Sequence, residues 1–130
     1  MNERILIIED ESRLLHSIAF TLKRHGYAAI QAADAENGLR MINSNMQKPD
    51  LLITDINLPG MDGASFIEEL MRQGIRIPTI VITAYGTMDL RRRLEAMGVH
   101  GILDKPFNIN DLVCRVKSVL SEIHEKAVSI

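Results

Sequence analysis

Short apolar runs alternate with longer stretches of helical periodicity along this chain of 130 residues, and this alternation limits the fold more than any other feature. Three continuous runs, at residues 5–8, 51–53 and 80–82, are rich in isoleucine and leucine and are typical of strands buried on both faces of a parallel sheet. Residues 28–32 and 101–103 are weaker strand candidates. Because a helical stretch follows each strand, the pattern predicts five βα units. These would form a three-layer, doubly wound α/β fold around a five-stranded parallel sheet.

Each helical stretch is defined by apolar residues three or four positions apart, which form one buried stripe per helix. The stripes comprise Leu14, Leu15, Ile18, Ala19 and Leu22; Ala35, Leu39, Ile42 and Met46; Phe66, Ile67, Leu70 and Met71; Leu90, Leu94 and Met97; and Ile109, Leu112, Val113, Val116, Leu120 and Ile123. Asp34, Thr87 and Asn108 stand where the second, fourth and fifth helices begin, and each is a favoured N-cap residue.

Length and composition indicate a single globular domain, with a core from about residue 4 to about residue 121 and residues 122–130 as an extension or the start of a linker. Hydrophobic residues make up 46% of the chain and charged residues 25%, and the net charge of −2 gives no indication of a nucleic-acid-binding surface. No apolar run approaches the roughly 18 residues that cross a membrane, and the first residues lack a secretion-signal pattern. The single cysteine, Cys114, is expected to be a buried thiol in a cytoplasmic protein.

Carboxylates, a hydroxyl and an amine lie at the ends of four of the five predicted strands. Glu9 and Asp10 follow the first strand, Asp55 the third, Thr83 the fourth and Lys105 the fifth. Because the carboxyl ends of parallel strands meet at one edge of a sheet, these side chains are expected to lie close together.

Each of these residues also has an ordinary structural explanation. Glu9 and Asp10 would favour the N-terminal dipole of the first helix, and Asp55 would favour a turn before the Pro-Gly pair that follows. Thr83 would be a simple strand residue and Lys105 a solvated charge. Clustered carboxylates repel each other, however, unless a cation neutralises them, and oxygen ligands suit Mg²⁺. A cation, an amine and a hydroxyl around one carboxylate are suited to phosphoryl transfer.

Four motifs, in order along the chain, carry a resemblance to a known family. They are ILIIEDE at residues 5–11, DLLITDINLPGMDG at residues 50–63, VITA at residues 81–84 and KPF at residues 105–107. On these motifs nearly the whole chain resembles the receiver domains of two-component response regulators. The resemblance implies a CheY-like, flavodoxin-like fold and a role as phosphoacceptor in a two-component system or phosphorelay.

By this resemblance, Asp55 accepts a phosphoryl group from a phosphohistidine of a sensor histidine kinase or a histidine phosphotransfer protein. The resemblance also implies bound Mg²⁺, with Mn²⁺ as an alternative. Its ligands would be Asp10, Asp55, the backbone carbonyl of Asn57 and, through a water, Glu9. The family usually has aspartate at the position of Glu9, so the geometry of this ligand is expected to differ.

Three groups are implied to hold the oxygens of the transferring phosphoryl group, namely the Lys105 ammonium, the Thr83 hydroxyl and the Ala84 backbone amide. The peptide bond between Lys105 and Pro106 is often cis in the family. Phosphorylation is expected to move Thr83 and to remodel the face formed by the fourth helix, the fifth strand and the fifth helix. Ile102 stands where the family usually has the aromatic residue that reports this movement, so the coupling is expected to be atypical.

The implied partners, besides the phosphodonor, are a downstream effector domain or protein and a second copy in a phosphorylation-dependent dimer. No direct contact with nucleic acid or membrane is expected. The chain would be a switch that gains and loses a phosphoryl group rather than a turnover enzyme.

Three other interpretations were open to a sequence of this kind. A degenerate receiver, acting as a phosphorylation-independent interaction or dimerisation module, usually lacks the acceptor, the acidic pair or the lysine. An aspartyl-phosphate hydrolase typically has a second aspartate at the position of Asn57. A nucleotide switch needs a glycine-rich phosphate-binding motif, which the sequence lacks.

Overall fold

Five strands and five helices alternate in the computed structural model, which describes residues 2–44 and 48–128, with side chains up to residue 125. The strands are β1 (Arg4–Ile8), β2 (Ala28–Ala32), β3 (Leu51–Asp55), β4 (Thr79–Thr83) and β5 (Gly101–Asp104). The helices are α1 (Ser12–Arg24), α2 (Ala35–Asn43), α3 (Gly63–Arg72), α4 (Met88–Ala96) and α5 (Ile109–Val128). All ten predicted elements are confirmed. Met46, assigned above to the second stripe, lies outside the described residues.

The strands form one parallel sheet in the order β2-β1-β3-β4-β5. Asp55 at the end of β3 is in register with Ile82 of β4, and Thr83 at the end of β4 is in register with Asp104 of β5. The strand order reverses at β1, so a crevice opens beside the carboxyl ends of β1 and β3. This topology confirms the doubly wound fold and brings the predicted site residues to one edge of the sheet.

The sheet is covered on both faces, which explains why its central strands are apolar at almost every position. Side chains alternate along β1, so Ile5 and Ile7 pack with α1 and α5, whereas Leu6 and Ile8 pack with α2 and α3. Helix α4 covers the same face as α3 through a further cluster that contains Leu94. All four apolar side chains of β1 are fully buried, as the continuous apolar run predicts.

The predicted N-caps occupy the expected positions. The side chain of Asp34 accepts a hydrogen bond from the Asn37 amide at 2.7 Å, and that of Thr87 accepts one from the Leu90 amide at 3.2 Å. Asn108 accepts one from the amide of the second residue of α5 at 2.8 Å. These bonds satisfy amides that the first turn of a helix leaves without a partner.

Two residues that were expected to be buried face solvent. Met71 is 43% exposed because it lies one position, or about 100° of helix rotation, beyond the buried Leu70. Cys114 is exposed for the same reason beside the buried Val113, so the expectation of a buried thiol is wrong. Helix α5 continues to Val128 and therefore takes in residues 122–128. Within the described part of the chain, no helix has the length and apolarity needed to span a membrane.

Candidate functional site

Lys105 connects two buried carboxylates at the carboxyl edge of the sheet. Glu9, which follows β1, is 1% exposed, and Asp55, the last residue of β3, is 2% exposed. Nζ of Lys105, which follows β5, lies 2.6 Å from Oδ2 of Asp55 and 3.1 Å from Oε1 of Glu9. The fold therefore brings together three of the residues that the strand ends predicted.

Asp10 adds a third carboxylate to this group. Ligand oxygens of Glu9, Asp10 and Asp55 all lie within 4.8 Å of one another, and Asp10 is exposed, so the cluster opens to solvent on its side. Oε1 of Glu9 is buried, and the Lys105 ammonium lies 3.1 Å from it as an ion pair. An all-oxygen donor set that includes such a buried oxygen fits a hard divalent cation.

The surroundings of the site change the protonation of two of its residues. Burial raises the pKa of Glu9 from 4.5 to about 7; the Glu11 amide opposes this rise, and the charge of Asp55 adds to it. Burial lowers the pKa of Lys105, but the hydrogen bond to Asp55 and the contact with Glu9 outweigh burial, so this pKa is raised overall. Lys105 therefore stays charged, whereas Glu9 exchanges its proton near neutral pH unless a cation is bound.

Backbone amides orient the two buried carboxylates. Oδ1 of Asp55 accepts a hydrogen bond from the Asn57 amide at 2.9 Å, and Oε2 of Glu9 accepts one from the Glu11 amide at 3.0 Å. Asp55 thus has one oxygen on an amide and the other on the Lys105 ammonium. These two hydrogen bonds orient the carboxylate.

Thr83 and Ala84 lie at the same edge but bond to other groups. The Thr83 hydroxyl is fully buried and accepts a hydrogen bond from the Tyr85 amide at 3.2 Å. The Ala84 amide points to Oδ1 of Asn57 at 3.5 Å, a distance that makes the bond weak. Besides its backbone carbonyl, Asn57 thus brings its side chain to the β4–α4 connection.

Ile102 and Pro106 stand where the resemblance led us to expect them. Ile102 is half-buried on β5, opposite Val81 of β4, and packs against the cluster that contains Leu94 of α4. The peptide bond between Lys105 and Pro106 is cis. The aliphatic side chain of Ile102 therefore contacts the apolar cluster that joins β4 to α4.

Two contacts near the site carry no signal in the sequence. Arg91 of α4 forms an ion pair with Asp104, the residue before Lys105. Glu36 of α2 accepts a hydrogen bond from the Met61 amide at 3.1 Å, in the loop that follows Asp55. Both contacts join residues on different elements. Charged residues are common on helix surfaces, so the sequence does not indicate which of them will form such contacts.

The fold and the site together define a CheY-like receiver: an open parallel sheet with an acidic cluster and a lysine at its carboxyl edge. A family model described as the response regulator receiver domain matches residues 5–117. The chain belongs to this family and is thus a receiver domain of the response regulators of two-component systems.

Known proteins with similar sequences agree with this assignment. The chain is 34% identical over 130 residues to the phosphate regulon transcriptional regulatory protein PhoB of Escherichia coli, covering 98% of this chain and 56% of PhoB. It is 31% identical to the sporulation initiation phosphotransferase F of Bacillus subtilis, covering 92% of this chain and 95% of that protein. The chain therefore spans about half the length of PhoB but nearly all of the phosphotransferase.

Solved structures agree as well. A CheY-like response regulator receiver domain protein from Methanospirillum hungatei superimposes with a TM-score of 0.86 at 30% identity. The superposition covers 97% of this chain and 99% of that one. The similarity thus extends over the whole α/β fold and not only over the sequence motifs.

Proposed function

We propose that this receiver accepts a phosphoryl group on Asp55 from a phosphohistidine of a sensor histidine kinase or a histidine phosphotransfer protein. The observation that carries the proposal is the position of Asp55, a buried carboxylate at a strand end with its Oδ2 2.6 Å from the Lys105 ammonium. A carboxylate held next to a cation, and beside further oxygen ligands, has the surroundings that phosphoryl transfer requires.

In the proposed step, a carboxylate oxygen of Asp55 attacks phosphorus as the bond from phosphorus to the donor's imidazole nitrogen breaks. The electron pair of that bond stays on the nitrogen, and because the other ring nitrogen of the donor keeps its proton, the departing imidazole is neutral. Because Lys105 lies close to the acceptor, its ammonium would contact a phosphoryl oxygen and stabilise the negative charge on that oxygen. The Thr83 hydroxyl and the Ala84 amide would receive a second oxygen after giving up their bonds to the Tyr85 amide and the Asn57 side chain.

Glu9, Asp10, Asp55 and the backbone carbonyl of Asn57 would hold the divalent cation, Mg²⁺ or Mn²⁺. When bound, the cation would neutralise the clustered carboxylates and the charge on the transferring group. The position of the buried Oε1 of Glu9 beside the oxygens of the other two carboxylates supports this assignment.

The proposed output is a change at the face formed by α4, β5 and α5. Thr83 ends β4, and Ile102 packs between β4 and α4, so movement of the threonine would reach this face through aliphatic contacts. The face would then bind an effector domain, an effector protein or a second copy of the chain. As a switch that is phosphorylated and hydrolysed once per cycle, the domain is proposed to act in the cytoplasm and not to be a turnover enzyme.

Mass spectrometry of the intact chain, incubated with Mg²⁺ and a small phosphoramidate, tests the proposal. The native chain is expected to gain one phosphoryl group, and the Asp55→Asn variant none. Asp89→Asn, which removes an exposed carboxylate on α4, is the matched control and should label like the native chain. No labelling of the native chain would contradict the proposal and favour a phosphorylation-independent interaction module. Equal labelling of the Asp55 variant would contradict it as well, by assigning the phosphoryl group to another residue.

A further inference from the structure

Glu36 joins helix α2 to the loop that follows Asp55. Its Oε2 accepts a hydrogen bond from the Met61 amide at 3.1 Å, although the two residues are 25 positions apart. A Cβ atom on the adjacent Gly60 would lie 2.8 Å from the same oxygen, and Gly60 has a φ of +74°. Glycine at this position therefore permits both the turn and the close approach of the carboxylate.

The β3–α3 loop, residues 56–62, carries groups that belong to the site. The Asn57 amide donates to Oδ1 of Asp55, and the Asn57 carbonyl is the proposed backbone ligand of the cation. On the α2 side, Leu58 is buried in the same apolar cluster as Ala35, which is the first residue of α2. The loop is thus linked to α2 twice, through the apolar cluster that Leu58 shares with Ala35 and through the hydrogen bond from Met61 to Glu36.

The contact of Glu36 with the loop is not explained by charge. Within the described part of the chain, Glu36 forms no ion pair, and its partner is a neutral backbone amide. A favourable position in the first turn of α2 would account for an acidic residue but not for its approach to Gly60 and Met61. What the loop needs from this side chain is a hydrogen-bond acceptor.

We infer that Glu36 is a positioning residue, which holds the β3–α3 loop at Met61 and thereby fixes Asn57 beside Asp55. The inference rests on the proposed function where it concerns phosphorylation. Its structural part, that Glu36 holds the loop, is independent of that function. Glu36 contacts neither the reacting carboxylate nor its cation cluster, so it acts only through the loop.

Substitutions at Glu36 separate the role of its side chain as a hydrogen-bond acceptor from the effect of its negative charge. Gln keeps an oxygen that accepts from Met61, Ala removes it, and Arg40→Ala on the exposed face of the same helix is the matched control. In the metal-free chain, hydrogen exchange at the Met61 amide, followed by NMR, is expected to accelerate about three- to tenfold in E36A and to change less than about twofold in E36Q and R40A. Titration with Mg²⁺ alone should show the same order, with a weaker Kd in E36A.

The inference is overturned if E36Q behaves like E36A, or if E36A leaves both Met61 exchange and the Kd for Mg²⁺ unchanged. Labelling by the small phosphoramidate is measured on the same samples. Failure of the native chain to label would contradict the function proposed for Asp55, while Met61 exchange and Mg²⁺ binding would still decide the role of Glu36.

Discussion

The ammonium of Lys105 lies 2.6 Å from Oδ2 of Asp55, and the same ammonium is 3.1 Å from Oε1 of Glu9. One cation is therefore shared between two carboxylates that are almost fully buried, while Lys105 itself keeps 22% of its side chain exposed. Removing it would leave the buried carboxyl groups of Asp55 and Glu9 without the cation that they share. Several properties of the metal-free domain depend on this arrangement.

Replacing Lys105 with methionine should destabilise the metal-free domain by about 3 kcal/mol, because a buried carboxylate loses its partner. Saturating Mg²⁺ should restore part of the loss, since a cation in the acidic cluster neutralises the same charges. Urea unfolding with and without Mg²⁺ measures both effects. Lys117→Met, at an exposed position of α5, is the control and should change the free energy of unfolding by less than about 0.5 kcal/mol. Equal stability of the two variants would show that the Lys105 pair contributes nothing to folding.

The metal-free domain should lose stability as the pH rises from about 5 to about 8. The pKa of Glu9 is about 7 in the folded chain against an ordinary 4.5, so the folded state binds this proton more tightly than the unfolded state. The resulting stabilisation is fully present below pH 4.5 and is lost as the pH rises through about 7. The pKa of Lys105 is raised from 10.5, so its contribution is constant over this range.

Urea unfolding at several pH values measures this dependence. Glu9→Gln should flatten it, and so should saturating Mg²⁺, which competes with the proton for the carboxylate. Glu95→Gln, exposed on α4, should retain the slope of the native chain. An unchanged slope in E9Q would assign the pH dependence to other groups.

Gly63→Ala should destabilise the domain by about 3 kcal/mol, because the added methyl group has no space. A Cβ at this position would lie 2.3 Å from the backbone oxygen of Asp55 and 2.9 Å from Cα of Ile56. Both atoms belong to the backbone at the end of β3, so no side-chain rotation relieves the overlap. Ser65→Ala, exposed on the same helix, should cost less than about 0.5 kcal/mol in the same denaturation experiment. A G63A variant as stable as the native chain would show that the backbone at the end of β3 moves readily to accommodate the methyl group.

The strands and the acidic site were predictable because they depend on local patterns. Continuous apolar runs such as the one before Glu9 indicate buried parallel strands, and such strands place the residues that follow them at one edge. The sequence therefore predicted that Asp55 and Lys105 would meet, although they are 50 positions apart.

Contacts between surface residues could not be predicted in the same way. An acidic residue such as Glu36 is common in the first turn of a helix and does not by itself indicate a partner. Its contact with Met61 forms only because the folded loop brings the Met61 amide close to it. The ion pair between Arg91 and Asp104 depends likewise on the distance between α4 and the end of β5. Apolar stripes also fix a helix face only to within one residue, which is why Met71 was assigned to the core.

Cys114 gives a direct test of the helix face that the sequence assigned wrongly. The residue is exposed on α5 between the buried Val113 and Val116, and it is the only cysteine in the chain. A thiol reagent should therefore modify the folded chain once. The rate should be similar to that in denaturant, because the thiol is already accessible in the folded state and no unfolding is needed. Cys114→Ser should abolish the reaction and change the free energy of unfolding by less than about 0.5 kcal/mol. Modification only after unfolding would show that Cys114 is buried and that a different face of α5 packs against the core.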